Sequence, residues 1–420
     1  MSRERVVSRQ VLVPFILVTL LFSLWGFAND ITNPLVAAFS RILQMSNFQG
    51  SLVQFAFYGG YFAMAFPAAL FIKKYSYKAG ILVGLGLYAF GALLFLPGSK
   101  MMAFWPFLVA YFVLTCGLSF LETSANPYIL SMGSGATATR RLNLAQAFNP
   151  IGSLMGMFIA QQFILARLNP ATAADRGAMG AAELASVTSA DLSVIATPYL
   201  AIAGVLLIVF AVIAVRKMPG QERHEGALDI RGTTRRLLAN RGYLEGVVAQ
   251  FFYVGAQIMC WTFIIHYATI ELGMDAVSAQ GYNIAAMIIF VSSRFICTFL
   301  MRFVSPGGLL MRLAVLGGVL IAVLILVGGQ IGLVALVGTS ACMSLMFPTI
   351  YGIALEGLGD DAKFASAGLI MAILGGSIMP PMQAALIDLE SIGGDSAVRI
   401  SFVMPLICFA VIARFGKRSL

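Results

Sequence analysis

Long apolar segments are the feature that most limits the folds open to this chain. Twelve segments follow one another, each close to or above the ~20 residues that an α-helix needs to cross a bilayer. A large soluble core does not explain them, because only 11% of the 420 residues are charged and 60% are hydrophobic. The sequence therefore predicts an all-α membrane protein with spans at roughly 12–39, 48–72, 79–98, 104–131, 142–166, 192–217, 243–270, 278–303, 309–329, 331–357, 363–387 and 399–416.

The longest polar connection on the predicted cytoplasmic side separates six of these segments from the other six. We predict an N-terminal bundle at 1–217, a cytoplasmic linker at 218–242 and a C-terminal bundle at 243–420. The halves echo one another, because Pro127 near the end of the fourth segment has a counterpart in Pro348 of the tenth. Twelve transmembrane helices in two pseudo-symmetric six-helix bundles are typical of the major facilitator fold.

Lysine and arginine are concentrated in alternate connections, which indicates the orientation of the chain. Arg3, Arg5 and Arg9 precede the first span, and other basic groups lie at 73–78, at 140–141 and throughout the linker. By the positive-inside rule these connections face the cytoplasm, so both termini are predicted to be cytoplasmic in a bacterial inner membrane. The net charge of +9 follows from the same bias and does not indicate a nucleic-acid partner.

The cysteines and histidines form no pattern that would indicate a metal site or a disulfide. The five cysteines lie in or beside apolar segments and include no CxxC pair; they are at positions 116, 260, 297, 342 and 408. A membrane-embedded enzyme would need a nucleophile or a metal constellation, and neither is apparent. The sequence predicts no metal, no cofactor and no catalytic activity.

Two carboxylates inside apolar segments are the strongest functional signal. Asp30 lies in the first segment and Glu122 in the fourth, where an ionised carboxylate is unfavourable unless it is paired, hydrated or protonated. Glu122 follows Phe120 and Leu121, and a carboxyl group in apolar surroundings binds a proton more readily than the same group does in water. We interpret Glu122 as the proton carrier and Asp30 as a substrate contact that can share the proton. The structural alternative is that either acid only joins packed helices.

Uncharged polar side chains accompany both acids. Asn29 and Asn33 flank Asp30, and Asn126 follows Glu122 by one helical turn. The fifth segment carries three carboxamides at intervals of three residues, and they are Asn143, Gln146 and Asn149. Carboxamides donate and accept hydrogen bonds at once, which suits hydroxyl-rich uncharged ligands such as sugars. The alternative is that they form hydrogen bonds between neighbouring helices, each of which stabilises the fold by up to about 1 kcal/mol.

The second half is poorer in polar residues within its spans. Gln257 occupies a place that matches the polar patch of the first span, and it is predicted to contact substrate with Trp25. Tryptophan presents an amphipathic ring that suits a sugar face, although a buried tryptophan more often serves packing. Arg294 is predicted to pair within the bundle or to reach an interface, and His266 to be structural.

Several of these motifs resemble the L-fucose:proton symporter family of the major facilitator superfamily. The resemblance covers nearly the whole chain and is carried by Trp25–Asn29, Ala56–Phe62, Lys74–Gly80, Leu121–Pro127, Arg141–Asn149, Gln250–Gln257 and Phe347–Tyr351. It implies that Glu122 is a protonatable acid of the transport pathway and that Gln146 and Asn149 contact sugar. One departure is that the acid of the family's first span falls at the place of Asn33, whereas this chain has Asp30 one turn earlier.

The resemblance implies proton-coupled import of a monosaccharide by a functional monomer, through a site at mid-membrane that alternates between the two sides. The displaced acid leaves the sugar open among L-fucose, glucose, galactose and N-acetylglucosamine. Three other functions fit less of the sequence: an uncoupled sugar facilitator, an exporter of apolar cations, and a sensor that has lost transport. The carboxamides disfavour the exporter, and a sensor would usually carry an added signalling domain.

Overall fold

A computed structural model describes residues 6–43, 47–171, 173–218, 230–389, 391–392 and 395–420. Almost all of this part is helical, and each of the twelve predicted segments corresponds to one helix or to consecutive helices. Ten helices in the described part are long and apolar enough to cross a membrane. The first six spans are Leu12–Ile42, Asn47–Lys74, Tyr77–Leu93 with Phe95–Met101, Trp105–Ser131, Ala138–Gln146 with Asn149–Ile159 and Ala160–Ile164, and Ala181–Val215.

The last six spans follow the linker. They are Arg241–Leu272, Ala276–Leu300, Pro306–Val327, Gly329–Met343 with Met346–Leu355, Ala362–Met371 with Gly375–Ile387, and Ala397–Ser401 with Val403–Arg418. Short helical turns lie at Arg9–Val11, Gly135–Thr137, Leu165–Arg167, Ala173–Ala178, Gly359–Asp361 and Ala372–Leu374. Ser391–Ile392 and Asp395–Ser396 pair as two short antiparallel strands.

The chain forms two compact units, and two segments are grouped differently from the predicted halves. The first unit comprises the described residues of Arg9–Tyr128 and Phe148–Leu228, and the second comprises those of Met1–Ser8, Ile129–Ala147 and Asp229–Leu420. The segment Ile129–Ala147 therefore packs with the second half of the chain, although it is part of the first six spans. The bundle limits of 1–217 and 243–420 themselves stay a prediction.

In the first unit, small residues let the first and fifth spans touch along their backbones. A side chain at Gly152 would place its Cβ 1.8 Å from the carbonyl oxygen of Ser23, and one at Gly26 would lie 2.1 Å from that of Asn149. Hydrogen bonds cross the same contact, because Ser23 Oγ donates to the Phe148 carbonyl at 2.8 Å. Backbone contact of this kind holds helices together in a bilayer, where no hydrophobic force drives them together.

In the second unit, the segment Ile129–Ala147 is anchored by Arg141, which is fully buried. Arg141 Nε donates to the Ile129 carbonyl at 2.8 Å and its Nη2 to the Leu130 carbonyl at 2.6 Å. Both carbonyls belong to the last turn of the fourth span, where helical partners are missing. Arg141 thus closes the end of that helix and sets the direction in which the fifth span begins.

Proline divides the fifth and tenth spans but not the fourth. The fourth span runs unbroken through Pro127. The fifth span breaks after Gln146 and restarts at Asn149, with Pro150 in its first turn. The tenth span breaks after Met343 and restarts at Met346, with Pro348 in its first turn. Proline suits a first helical turn because it has no N–H to donate.

The predicted linker contains a helix, Ile230–Ala239, whereas its polar composition predicts only a connection. The helix docks on the second unit through Asp361, because Arg236 Nε donates to Asp361 Oδ2 at 2.8 Å. Thr233 Oγ1 donates to the same carboxylate at 3.2 Å. The described part of the linker is therefore held against the loop that follows the tenth span.

Candidate functional site

Glu122 lies inside the first unit with only 4% of its surface exposed. The Tyr61 hydroxyl of the second span and the Trp25 indole of the first span lie beside its carboxyl group. Neither Glu122 Oε2 nor the Tyr61 hydroxyl has a partner at hydrogen-bonding geometry in the part of the chain that the structure describes. No salt bridge among those residues involves Glu122. A buried carboxyl without a cation is much more favourable when it is protonated than when it is ionised.

The turn of the first span that carries Trp25 is held on two sides. Trp25 stacks on Phe22 with ring centroids 4.7 Å apart. The Tyr88 hydroxyl of the third span donates to the Leu24 carbonyl at 2.9 Å, and Asn149 Nδ2 of the fifth span donates to the Phe22 carbonyl at 3.1 Å. These contacts fix the Trp25 ring in place beside Glu122.

Asn149 and Asn126 belong to the same unit as Glu122. Asn149 is half-buried, and in the described part of the chain no hydrogen bond ends on its carboxamide oxygen. That oxygen can therefore accept a hydrogen bond from a ligand hydroxyl while the amide nitrogen holds the first span. Asn126 is fully buried and donates to the Glu122 backbone carbonyl at 3.1 Å. This bond holds the amide of Asn126 to its own helix, and the predicted contact of Asn126 with substrate stays a prediction.

Asn143 lies in the second unit and joins two helices. Its Nδ2 donates to Thr349 Oγ1 of the tenth span at 3.1 Å and to the Thr139 carbonyl at 3.0 Å. These contacts correspond to the interhelical alternative that the sequence left open for this residue. Its direct role in substrate binding stays a prediction that the structure does not test.

Gln146 is buried in the same unit, and its backbone carbonyl accepts a hydrogen bond from Arg294 Nη1 at 2.9 Å. Gln257 lies half-buried on the seventh span. The side chains of Asn29, Asp30 and Asn33 lie outside the described residues, and only their backbone is placed, within Leu12–Ile42. Their predicted contacts with substrate stay predictions.

Two residues that sequence reasoning did not assign to the site stand next to predicted site residues. Tyr61 lies beside Glu122, and its motif Ala56–Phe62 contributed only to the family resemblance. Arg294 is buried and bonded to backbone carbonyls, whereas the sequence left a position at a membrane interface open. Neither position is visible in a local pattern, because each depends on contacts between spans far apart in the chain.

Comparison with known sequences gives close relatives over the full length. Residues 18–381 match the Major Facilitator Superfamily. The L-fucose-proton symporter of Haemophilus influenzae is 50% identical over 99% of this chain and 98% of its own length. The L-fucose-proton symporter of Escherichia coli is 36% identical over 98% and 94%. A glucose/galactose transporter of Brucella abortus is 32% identical over 95% and 92%.

Comparison with solved structures points to the same family as the sequence relatives. The crystal structure of FucP in the outward conformation has a TM-score of 0.91 and 35% sequence identity, covering 98% of this chain and 100% of that one. The proton:xylose symporter XylE has a TM-score of 0.69 at 13% identity over 96% and 94%, which shows the fold alone. These likenesses confirm the twelve-helix fold and the resemblance predicted from the sequence motifs. The chain is a member of the major facilitator superfamily and belongs, within it, to the L-fucose:proton symporter family.

Proposed function

We propose that the protein imports L-fucose, or a closely related hexose, together with protons. The observation that carries this proposal is the buried Glu122 carboxyl, which has no described cation partner and lies beside Trp25 and Tyr61. Relatives at 50% and 36% identity are L-fucose-proton symporters. An intramembrane acid of this kind marks a proton or substrate pathway far more often than it serves packing.

In the proposed cycle Glu122 takes up a proton when the site faces outside and releases it when the site faces inside. Sugar binding is coupled to the protonated form, because only a neutral carboxyl is compatible with a dry, closed site. Asn149 offers a carboxamide oxygen to a sugar hydroxyl, and the Trp25 ring lies beside the carboxyl where it can pack against a sugar face. Asp30, Asn33, Asn29, Gln146 and Gln257 are further proposed contacts with sugar hydroxyls.

The carrier is proposed to act as a monomer without catalytic activity and without a nucleic-acid partner. It is a multi-pass protein of the bacterial inner membrane, and both of its termini are proposed to be cytoplasmic. The lysines and arginines in alternate connections support that orientation. The function needs only sugar, protons and the bilayer as partners.

The decisive variant is Glu122→Gln, which keeps the size of the side chain and removes the titrating group. In proteoliposomes, wild-type protein is expected to alkalinise the outer medium when L-fucose is added outside. Glu122→Gln should lose this signal while it still exchanges labelled sugar across the membrane, because exchange needs no net proton movement. The matched control is Glu183→Gln, at an exposed position near the start of the sixth span, which should leave both readouts unchanged.

Two results would contradict the proposal. Sugar-dependent alkalinisation that persists in Glu122→Gln would exclude this residue as the proton carrier. Wild-type sugar uptake that is insensitive to an uncoupler would indicate a facilitator without protons. A binding panel of L-fucose, glucose, galactose and N-acetylglucosamine on purified protein identifies the sugar independently of either result.

A further inference from the structure

Arg294 of the eighth span is a cation buried inside the second unit. Only 3% of its surface is exposed, and no carboxylate in the described part of the chain forms a salt bridge with it. Its guanidinium lies over the Phe290 ring at 4.6 Å from the centroid, which stabilises the charge only in part. A buried charge inside a membrane span is energetically unfavourable, so the groups that bind the Arg294 guanidinium indicate what the residue does.

Those groups are two backbone carbonyls from different spans. Arg294 Nε donates to the carbonyl of Ser344 in the tenth span, and Nη1 donates to the carbonyl of Gln146 in the fifth span at 2.9 Å. The two bonds use separate nitrogens of one rigid, planar group, so their directions are fixed relative to each other. One side chain thus joins a segment of the first six spans to a helix of the last six.

Both carbonyls lack a normal helical partner for the same reason. In an α-helix a carbonyl accepts from the N–H four residues later. The residue four positions after Gln146 is Pro150, and the residue four positions after Ser344 is Pro348. Proline has no N–H, so each helix break exposes a carbonyl that needs another donor. Arg294 supplies a donor to both.

We propose that Arg294 is a positioning residue of the transport cycle, which clasps the break in the fifth span to the break in the tenth span. The clasp must open each time the carrier changes state, because it links segments that belong to different sets of six spans. This inference rests on the proposed function, since only an alternating-access carrier has to open and close such a contact. The carboxamide of Gln146 extends from the same residue whose carbonyl is held.

A second set of contacts next to the clasp supplies a reporter for its state. Asn143 bonds to Thr349, and a Cβ at Gly352 would lie 2.7 Å from Thr139 Oγ1. Thr139 is buried in this contact, whereas Ala136, three residues earlier, is exposed. Separation of the two segments would uncover residue 139 and leave residue 136 as it is.

The test measures alkylation of Thr139→Cys by a water-soluble maleimide in purified protein without sugar. The five native cysteines are buried, and protein without an added cysteine gives the background. Arg294→Lys keeps the charge but cannot fork to both carbonyls, so alkylation should become about tenfold faster, as expected for loss of one charge-assisted hydrogen bond. Alkylation of Ala136→Cys should be the same with arginine or lysine at 294. An unchanged rate at residue 139 in Arg294→Lys would overturn the proposal.

A second variant tests the clasp with Arg294 in place. Pro150→Ala restores the backbone N–H that can donate to the Gln146 carbonyl within the helix, so it competes with Arg294. The rate of alkylation at residue 139 should rise. In the double variant Pro150→Ala, Arg294→Lys the increase in that rate should be smaller than the product of the increases in the two single variants. The matched control is Pro198→Ala, within the sixth-span helix, which should leave the rate unchanged. Fully independent effects of Pro150→Ala and Arg294→Lys would contradict a shared clasp.

Transport kinetics separate positioning from simple stability. Arg294→Lys should lower kcat for sugar uptake about tenfold and change KM less than about threefold, because the population of one carrier state falls by that factor while the sugar contacts remain. A Tm within a few degrees of wild type would show that the variant folds. A lower Tm and a lower kcat together with a raised KM would indicate a merely structural role. The alkylation readout needs neither sugar nor a proton gradient, so it stands even if the binding panel identifies another sugar or the proteoliposome assay shows no proton coupling.

Discussion

At the scale of single residues, Asn149 and Ser153 allow substrate binding to be separated from helix packing. Both belong to the fifth span and donate to carbonyls of the first: Asn149 Nδ2 to Phe22 at 3.1 Å, and Ser153 Oγ to Gly26 at 3.3 Å. Each bond contributes on average about 0.6 kcal/mol inside a membrane. Only Asn149 also has a carboxamide oxygen to offer to a ligand.

Asn149→Ala is therefore expected to weaken sugar binding up to about tenfold, the effect of one lost hydrogen bond to substrate. Ser153→Ala loses a comparable packing bond and should bind sugar as the wild type does. Isothermal titration of purified protein with L-fucose measures both. Equal losses of affinity in the two variants would show that Asn149 acts only through the packing of the first and fifth spans.

The burial of Glu122 could be predicted from the sequence, but its neighbours could not. Phe120 and Leu121 precede Glu122 in a segment that is long and apolar, which is sufficient to place the carboxyl inside the membrane. Tyr61 and Trp25 come from the second and first spans, and nothing in their own segments indicates that they meet the fourth. Such pairs depend on the rotation of each helix about its axis, which is decided by packing with distant parts of the chain.

At the scale of elements, the contact between the first and fifth spans depends on glycine. A Cβ at Gly152 would lie 1.8 Å from the Ser23 carbonyl oxygen, which is backbone and has no other rotamer to adopt. The two helices would have to move apart, and with them the hydrogen bond from Ser23 to Phe148. Gly204, on the exposed face of the sixth span, has nothing within 4 Å of a Cβ.

Gly152→Ala is thus expected to destabilise the fold by about 1–3 kcal/mol, the usual effect of overpacking. Gly204→Ala should leave the stability unchanged or raise it slightly, because the unfolded chain has less conformational freedom with alanine than with glycine at this position. Thermal unfolding in detergent, followed by tryptophan fluorescence, compares the two. A Gly152→Ala protein with the same Tm as the wild type would show that the two spans are not in backbone contact.

In the fifth span a regular spacing of carboxamides runs across a break between two helices. Asn143, Gln146 and Asn149 recur every three residues, and on one continuous helix they would share a face. The break at 147–148 divides them instead: Asn143 bonds to Thr349 of the tenth span, and Asn149 bonds to Phe22 of the first. Pro150 is the signal for this break, since proline favours the first turn of a new helix. Pro127 has the same chemistry inside an unbroken helix, so proline alone does not locate a break.

At the scale of the whole molecule, hydropathy predicts the number of spans, whereas the packing of one span against another depends on tertiary contacts. All twelve segments are helical in the structure because length and apolar composition decide that locally. The grouping of Ile129–Ala147 with the last six spans depends on tertiary contacts such as those of Arg294 and Asn143. A carrier that alternates between states has to exchange contacts of this kind, so no single grouping is encoded by the hydropathy pattern.

The orientation of the molecule in the membrane is a prediction of the charge pattern alone. Ala136 lies in the connection between the fourth and fifth spans, shortly before Arg140 and Arg141 in the sequence, and Ala178 lies in the connection between the fifth and sixth. Both residues are exposed. The positive-inside rule places Ala136 in the cytoplasm, and Ala178, one span later, must then lie outside.

Single cysteines at the two positions test this in intact cells with a maleimide that does not cross membranes. Ala178→Cys should be labelled at once, and Ala136→Cys only after the cells are made permeable. Since every span reverses the chain, this pair fixes all twelve helices and puts both termini in the cytoplasm. The opposite labelling pattern would invert the topology, and Glu122 would then have to take up its proton from the other end of the molecule.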